Sequence, residues 1–132
     1  KGVFTNRLLA RLFAEIGPPT DFRSWRQLMR YAGLNLIERQ SGKFRGKTKI
    51  SRRGRSRIRD VLNRMAFPMT KKTGLFGDYY HSKKQSGMPG NKAMVAVMRK
   101  LLKMIWGLCQ SEAVFERDRV HTSRQDLKKR VA

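Results

Sequence analysis

Apolar positions recur at helical spacing in five stretches of this chain. Over residues 5–16, Leu8, Leu9, Leu12, Phe13 and Ile16 line one side of a helix, with Thr5 or Asn6 placed to cap it and Gly17-Pro18-Pro19 to end it. Residues 24–32 predict a second, shorter helix with Trp25, Leu28, Met29 and Tyr31 on its apolar side and Gly33 as a left-handed stop. The pair, joined by a tight Gly/Pro link, is similar to helical hairpins that hold DNA backbones. A third helix over residues 56–65 turns Ile58, Val61, Leu62 and Met65 inward and Arg55, Arg57, Arg59 and Arg64 mostly outward. Phe67-Pro68 blurs its end. A fourth, over residues 75–85, carries Phe76, Tyr79 and Tyr80, and Ser86-Gly-Met-Pro-Gly90 breaks the chain after it.

Asn91 is placed to cap the longest helix, which reaches about residue 110. Thirteen of the 17 residues from 93 to 109 are apolar, so this helix is expected to be wrapped nearly all round, with Arg99, Lys100 and Lys103 as its one polar stripe. As the core helix, it should pack Met98, Leu102, Ile105 and Trp106 on Leu9, Phe13 and Val61. Residues 34–54 break the helical period. They hold Gly42, Gly46 and Gly54 and charge at almost every second position, which predicts a loop or short hairpin with residues 47–51 as its strand. Ser51 then belongs to the hairpin, and Ser56 caps the third helix. The tail, residues 111–132, alternates charges with few apolar anchors and reads as a loose helix or an arm ordered on binding. The expected fold is mainly α: a small helical domain over residues 1–110 with a short irregular or β-hairpin basic insert, followed by a charged tail.

Composition narrows the function. The chain has 132 residues, 39% of them apolar, with seven Phe, seven Met and two Trp, enough for a single core and too many for full-length disorder. Against 9 Asp and Glu stand 31 Lys and Arg, a net charge of +22. Such an excess repels itself unless a polyanion neutralises it, so nucleic acid is the expected partner. One Cys and two His exclude a disulfide framework and zinc-finger spacing. The longest apolar run, residues 93–98, is far too short to span a membrane. The chain opens on Lys1 without a signal peptide and reads as an excised domain of a cytoplasmic protein.

The charge is concentrated. Residues 39–59 contain ten cations (Arg39, Lys43, Arg45, Lys47, Lys49, Arg52, Arg53, Arg55, Arg57 and Arg59) and no acid, Glu38 and Asp60 standing just outside. That density exceeds what solubility requires and points to phosphate binding, with no sign of base-specific readout. Gln40-Ser41-Gly42 opens the run. A serine attacking a phosphodiester needs such cations around the developing charge, and a base or metal to take its proton. A Ser-Gly pair is equally at home in an ordinary turn. Three other constellations read as structural. His121-Thr-Ser-Arg124 matches the H-x-x-R box of tyrosine recombinases, but none of the eight residues after it is Tyr, and Tyr79 and Tyr80 precede it. Glu112, Glu116 and Asp118 do not share one helix face and pair more naturally with Arg117 or Arg119 than with a metal. Cys109 reads as a core thiol.

Glu15-Ile-Gly17, Phe22, Leu28, Tyr31-Ala-Gly-Leu34, Glu38-Arg-Gln-Ser-Gly42, Ile50-Ser-Arg-Arg-Gly54, Arg57 and Arg59, taken in order, resemble the C-terminal transposase domain of the insertion sequence one-ten family. That family includes Piv-type DNA invertases and bridge-RNA-guided recombinases. Gly87-Met-Pro-Gly90 and residues 92–106 are similar to its penultimate loop and final helix, so the likeness spans roughly residues 17–109. The resemblance implies a bacterial, nucleoid-associated enzyme of two parts. A RuvC-like domain of the DEDD type carries four acids that bind divalent metal, expected to be Mg2+. The domain resembled here supplies the serine nucleophile, which falls on Ser41. It further implies DNA and a guide (bridge) RNA as partners and a homo-oligomer in which acids and serine come from different protomers. The nine acids here do not make a RuvC-like domain, so this chain, with no cofactor of its own, is expected to bind but not cut. A non-catalytic, ribosomal-protein-like RNA-binding module is the alternative. Attachment to anionic membranes is disfavoured, because no helix pairs a full Lys/Arg face with an exposed apolar one.

Overall fold

The computed structural model describes residues 5–38 and 40–117. The described residues form a mainly helical domain. Its helices are α1 (Asn6–Ile16), α2 (Trp25–Ala32), α3 (Ser56–Ala66), α4 (Gly77–Gln85) and α5 (Gly90–Ser111), with short 3-10 turns at Pro19–Asp21 and Phe67–Thr70. Four two-residue strands, β1 (Leu36–Ile37), β2 (Gln40–Ser41), β3 (Phe44–Arg45) and β4 (Lys49–Ile50), lie between α2 and α3.

Helix boundaries follow their punctuation with instructive exceptions. Ser24 Oγ accepts the Gln27 N–H at 3.3 Å, and Gln27 Oε1 accepts the Arg23 N–H at 2.9 Å, a reciprocal cap at the start of α2. At its end Gly33 adopts φ 72°, ψ 25°; its N–H reaches Arg30 O and the Leu34 N–H reaches Met29 O. This double bond pattern closes α2 with the buried Leu34 against the buried Met29. Thr5 occupies the cap position of α1 as expected, its carbonyl taking the Leu8 and Leu9 N–H groups without a side-chain bond. The other two expected caps are corrected. Ser56 is the first residue inside α3, preceded by Arg55 as cap. Asn91 lies inside α5, which starts at Gly90 after Pro89, and its side chain accepts the Lys92 N–H. Helix α4 begins at Gly77, two residues later than the apolar period suggested, because Phe76 turns into the core with its N–H on Met69 O.

Helix α3 is the centre of the packing, lying against α1 on one side and α5 on the other. Its Ile58, Leu62 and Met65 are fully buried among Leu12 of α1, Leu28 of α2, Phe76, and Leu101 and Leu102 of α5. Leu9 and Phe13, expected beneath α5, pack half-buried against the core that includes Met98, Leu102 and Ile105, and α1 enters that core through Leu12 and Ile16. Helix α5 is wrapped as its composition demanded, with Lys103 the one exposed residue between 93 and 109. Arg99 and Lys100 are drawn partly under cover, the Lys100 ammonium lying 4.2 Å from the centre of the Tyr79 ring. Trp106 is half-buried and donates its indole N–H to Phe22 O at 3.2 Å. Beyond α5, Glu112 turns the chain through φ 49°, Phe115 packs against the core, and Arg117 donates to Thr73 O at 2.8 Å. Asp118, Arg119 and the His121–Arg124 pair lie outside the described residues.

Leu102→Asp tests this core. It buries a charge with no partner at a position of zero exposure, at a cost of about 3 kcal/mol or more, a large part of the stability of a domain this size. Circular dichroism should show loss of cooperative melting or a sharply lowered Tm.

Candidate nucleic-acid interface

The basic insert is a β-arm. Strands β1 and β4 pair antiparallel, Leu36 opposite Ile50 and Ile37 opposite Lys49, and β2 and β3 continue outward with Gln40 opposite Arg45 and Ser41 opposite Phe44. The ladder is interrupted between the Ile37–Lys49 pair and the Gln40–Arg45 pair. The strand expected over residues 47–51 is therefore shortened to Lys49–Ile50, with Lys47 and Thr48 in the break and Thr48 Oγ1 donating to Glu38 Oε1 at 3.2 Å. At the tip, Gly42 and Lys43 make a two-residue connection. Gly42 has φ 57°, the positive value that hairpin turns with glycine first require.

Ser41 stands beside that turn, exposed, and its hydroxyl has no hydrogen-bond partner among the described side chains. Lys43, Lys47, Lys49, Arg52 and Arg53 are exposed along the same arm and its root. Arg45 lies on β3 opposite Gln40, and Arg39 lies outside the described residues. The remaining three cations of the run are tied to the helical body. The Arg55 guanidinium lies 5.2 Å from the Tyr31 ring centre, and Arg57 pairs with Glu15 at 3.9 Å, an exposed contact of little energy. Arg59 is half-buried, and its Nη1 donates to Ala32 O at 3.0 Å and Gly54 O at 3.1 Å. Of the ten cations in the run, Lys43, Lys47, Lys49, Arg52 and Arg53 are exposed on the arm and its root, Arg55 and Arg57 are exposed on the helical body, and Arg59 is half-buried at the crossing.

The arm leaves the body through a close backbone crossing. A Cβ on Gly33 would meet Gly54 N and Arg59 Nη1 at 2.6 Å, and a Cβ on Gly54 would collide with Gly33 N and Tyr31 O. Hydrogen bonds from Ser51 N to Asn35 O (2.9 Å), Arg52 N to Gly33 O (3.1 Å) and Arg55 N to Tyr31 O (3.1 Å) hold it, with Ser51 Oγ on Asn35 Oδ1. Ser51 thus anchors the root rather than lining the hairpin. Arg52 is forced to φ 54°, uncommon for a residue with a side chain. Asn35 gave no signal in the sequence, since its partner lies 16 positions away. The same root borders a cleft of about 650 Å³ whose wall includes Asn63 and Tyr80. No spacing rule brings those two together, because the cleft is assembled from separate segments.

Burial, then the charge of Lys83, holds the Lys100 ammonium below the usual lysine range. Burial pushes the Cys109 thiol up, in keeping with its half-buried place against the core. Among the described residues no three His, Cys, Asp or Glu side chains come together to hold a metal ion, and no helix is long and apolar enough to cross a membrane.

The arm thus places Ser41 beside its turn and exposed Lys43, Lys47 and Lys49 along its length, rooted in a small helical body. Residues 4–81, more than half of the chain, match the transposase IS116/IS110/IS902 family, and the chain belongs to that family. The matched segment contains α1, α2, the whole arm and α3. A relative from Streptomyces clavuligerus, the insertion element IS116 uncharacterized 44.8 kDa protein, is 24% identical over 106 residues. Those residues are 80% of this chain and 27% of the relative, so the chain spans about a quarter of that protein's length.

Two glycines separate the demands of root and tip. Gly54→Ala should destabilise the domain by about 2 kcal/mol or more, because backbone atoms block the methyl group. Gly42→Ala meets open space and should cost only the left-handed conformation, about 1 kcal/mol. Urea unfolding of the two variants should show the larger loss at Gly54.

Proposed function

We propose that this chain is the serine-bearing, nucleic-acid-binding part of an insertion-sequence transposase, with Ser41 as the nucleophile. The observation that carries the reading is the exposure of Ser41 beside the turn of an arm that also carries exposed Lys43, Lys47 and Lys49. In the proposed step Ser41 Oγ attacks a DNA phosphorus, an Oγ–P bond forms, and the bond from phosphorus to one bridging oxygen breaks. That oxygen leaves with the proton that restores its hydroxyl, while the hydroxyl proton of Ser41 passes to a base. Reversal with a different strand end exchanges the strands. Lys43 beside the turn and Lys47, Lys49, Arg52 and Arg53 along the arm hold the flanking phosphates and offset charge at the reacting one.

Among the described residues no three His, Cys, Asp or Glu side chains gather to hold Mg2+. In this reading the metal and the base belong to the acid-bearing domain of the full-length enzyme, and this chain alone binds without cutting. Cutting then requires assembly, in a homo-oligomer on DNA with a guide RNA as second polyanion, in the bacterial cytoplasm at the nucleoid. The exposed Ser41 also suits the rival reading, a binding module without catalysis, and one substitution separates them.

In the full-length enzyme Ser41→Ala should leave folding and DNA affinity nearly unchanged and reduce recombination to background. A suicide DNA substrate should trap a protein–DNA adduct on the wild type, mapping to residues 40–42 and absent from the variant. Full recombination by Ser41→Ala, or an adduct on Tyr79 or Tyr80, would favour the binding module. For the chain itself, duplex affinity should fall steeply with salt. Five engaged phosphates correspond to a log–log slope of about −4.5, and titrations across a salt series should find it flattened when Lys43, Lys47 and Lys49 are changed together to Gln.

A further inference from the structure

The cleft beside the arm root, about 650 Å³, is open to solvent and matches small-molecule sites in volume. Its lining combines apolar Ile50 of β4 and Met94 and Val95 of α5 with Arg52, Asn63 and Tyr80. The acid in its wall, Asp60, is held by Arg64 Nε at 3.1 Å. Arg52 joins this lining from the left-handed conformation imposed by the Gly33–Gly54 crossing, a backbone state that persists only where surrounding contacts over-determine it. Apolar surface, hydrogen-bonding side chains and a cation lining one open cleft are the requirements of a nucleobase with its phosphate.

We propose that the cleft takes one unpaired nucleotide of the bound strand. Its base lies over Met94 and Val95, its edge meets Asn63 and the Tyr80 hydroxyl, and its phosphate lies on Arg52. The proposal rests on the nucleic-acid reading above but not on Ser41. It makes the chain a reader of strand state: a paired nucleotide must first leave its stack, whereas a bulged one has already done so.

The test uses the full chain with methyl-labelled methionine and three probes: a fully paired duplex, the same duplex carrying one unpaired adenosine, and AMP. The bulged duplex should bind about fivefold more tightly than the paired one. Ring currents from the entering base should shift the Met94 methyl signal while the core signals of Met29 and Met69 stay in place. Val95→Trp, which fills the cleft, should abolish the preference and leave affinity for the paired duplex unchanged, with the Met29 and Met69 signals reporting the fold. Asn63→Ala, at an exposed position on α3, provides a second variant that should weaken the preference. Equal affinity for the two duplexes with Met94 unmoved would overturn the proposal while leaving salt-dependent binding intact. Binding to neither duplex would overturn the nucleic-acid reading with it. A Met94 shift caused by AMP but not by the bulged duplex would replace the strand by a free nucleotide and overturn the proposal as stated.

Discussion

The passage of one backbone over another at Gly33 and Gly54 governs the geometry on both sides of it. Because neither residue carries a Cβ, the end of α2 and the approach to α3 come within hydrogen-bonding distance of each other. Arg59 completes the crossing by bonding a carbonyl from each side. The direction in which the arm leaves, the conformation of Arg52 and the start of α3 all follow from that contact. A bonded, half-buried guanidinium is an economical way to occupy the gap: it satisfies carbonyls that would otherwise be stranded at a helix end.

The distribution of charge is the second organising fact. The helical body lays many of its cations over aromatic rings. Arg26 and Lys103 lie 4.8 and 4.6 Å from the Trp25 ring centre, and Lys83 and Lys100 share Tyr79. Each such contact is worth under about 1 kcal/mol at an exposed site, but none requires an acid, which this composition barely supplies. On the arm, Lys43, Lys47 and Lys49 are exposed to solvent, and like charges so placed repel one another.

The helical core was legible because its signals are local. The apolar period located all five helices, and Gly33 announced the end of α2 through a rule that depends on adjacent residues alone. The serine and its basic neighbours were legible as a linear run. What the sequence did not disclose depends on separations of 16 or more positions: the Asn35–Ser51 bond, the clamp of Arg59 on Ala32, and the α1–α3–α5 order that leaves Leu9 and Phe13 at the margin. The failed caps at Ser56 and Asn91 have a different cause. Both side chains lie one or two residues inside their helices, and the cap positions fall to Arg55 and Pro89. A composition rule for caps does not resolve a shift that small.

Between Lys43 and Lys49 the described side chains are exposed or only partly covered, and none is buried in the core. Replacement there leaves the packed interior untouched, so the outer arm is free to diverge among descendants while the domain keeps its shape. At the root the opposite holds: a change at Gly33, Gly54 or Arg59 is felt by folding and by the arm's orientation together. Lineages of such a protein can therefore vary the outer arm through a few surface codons, with the crossing between arm and body as the part they must inherit unaltered.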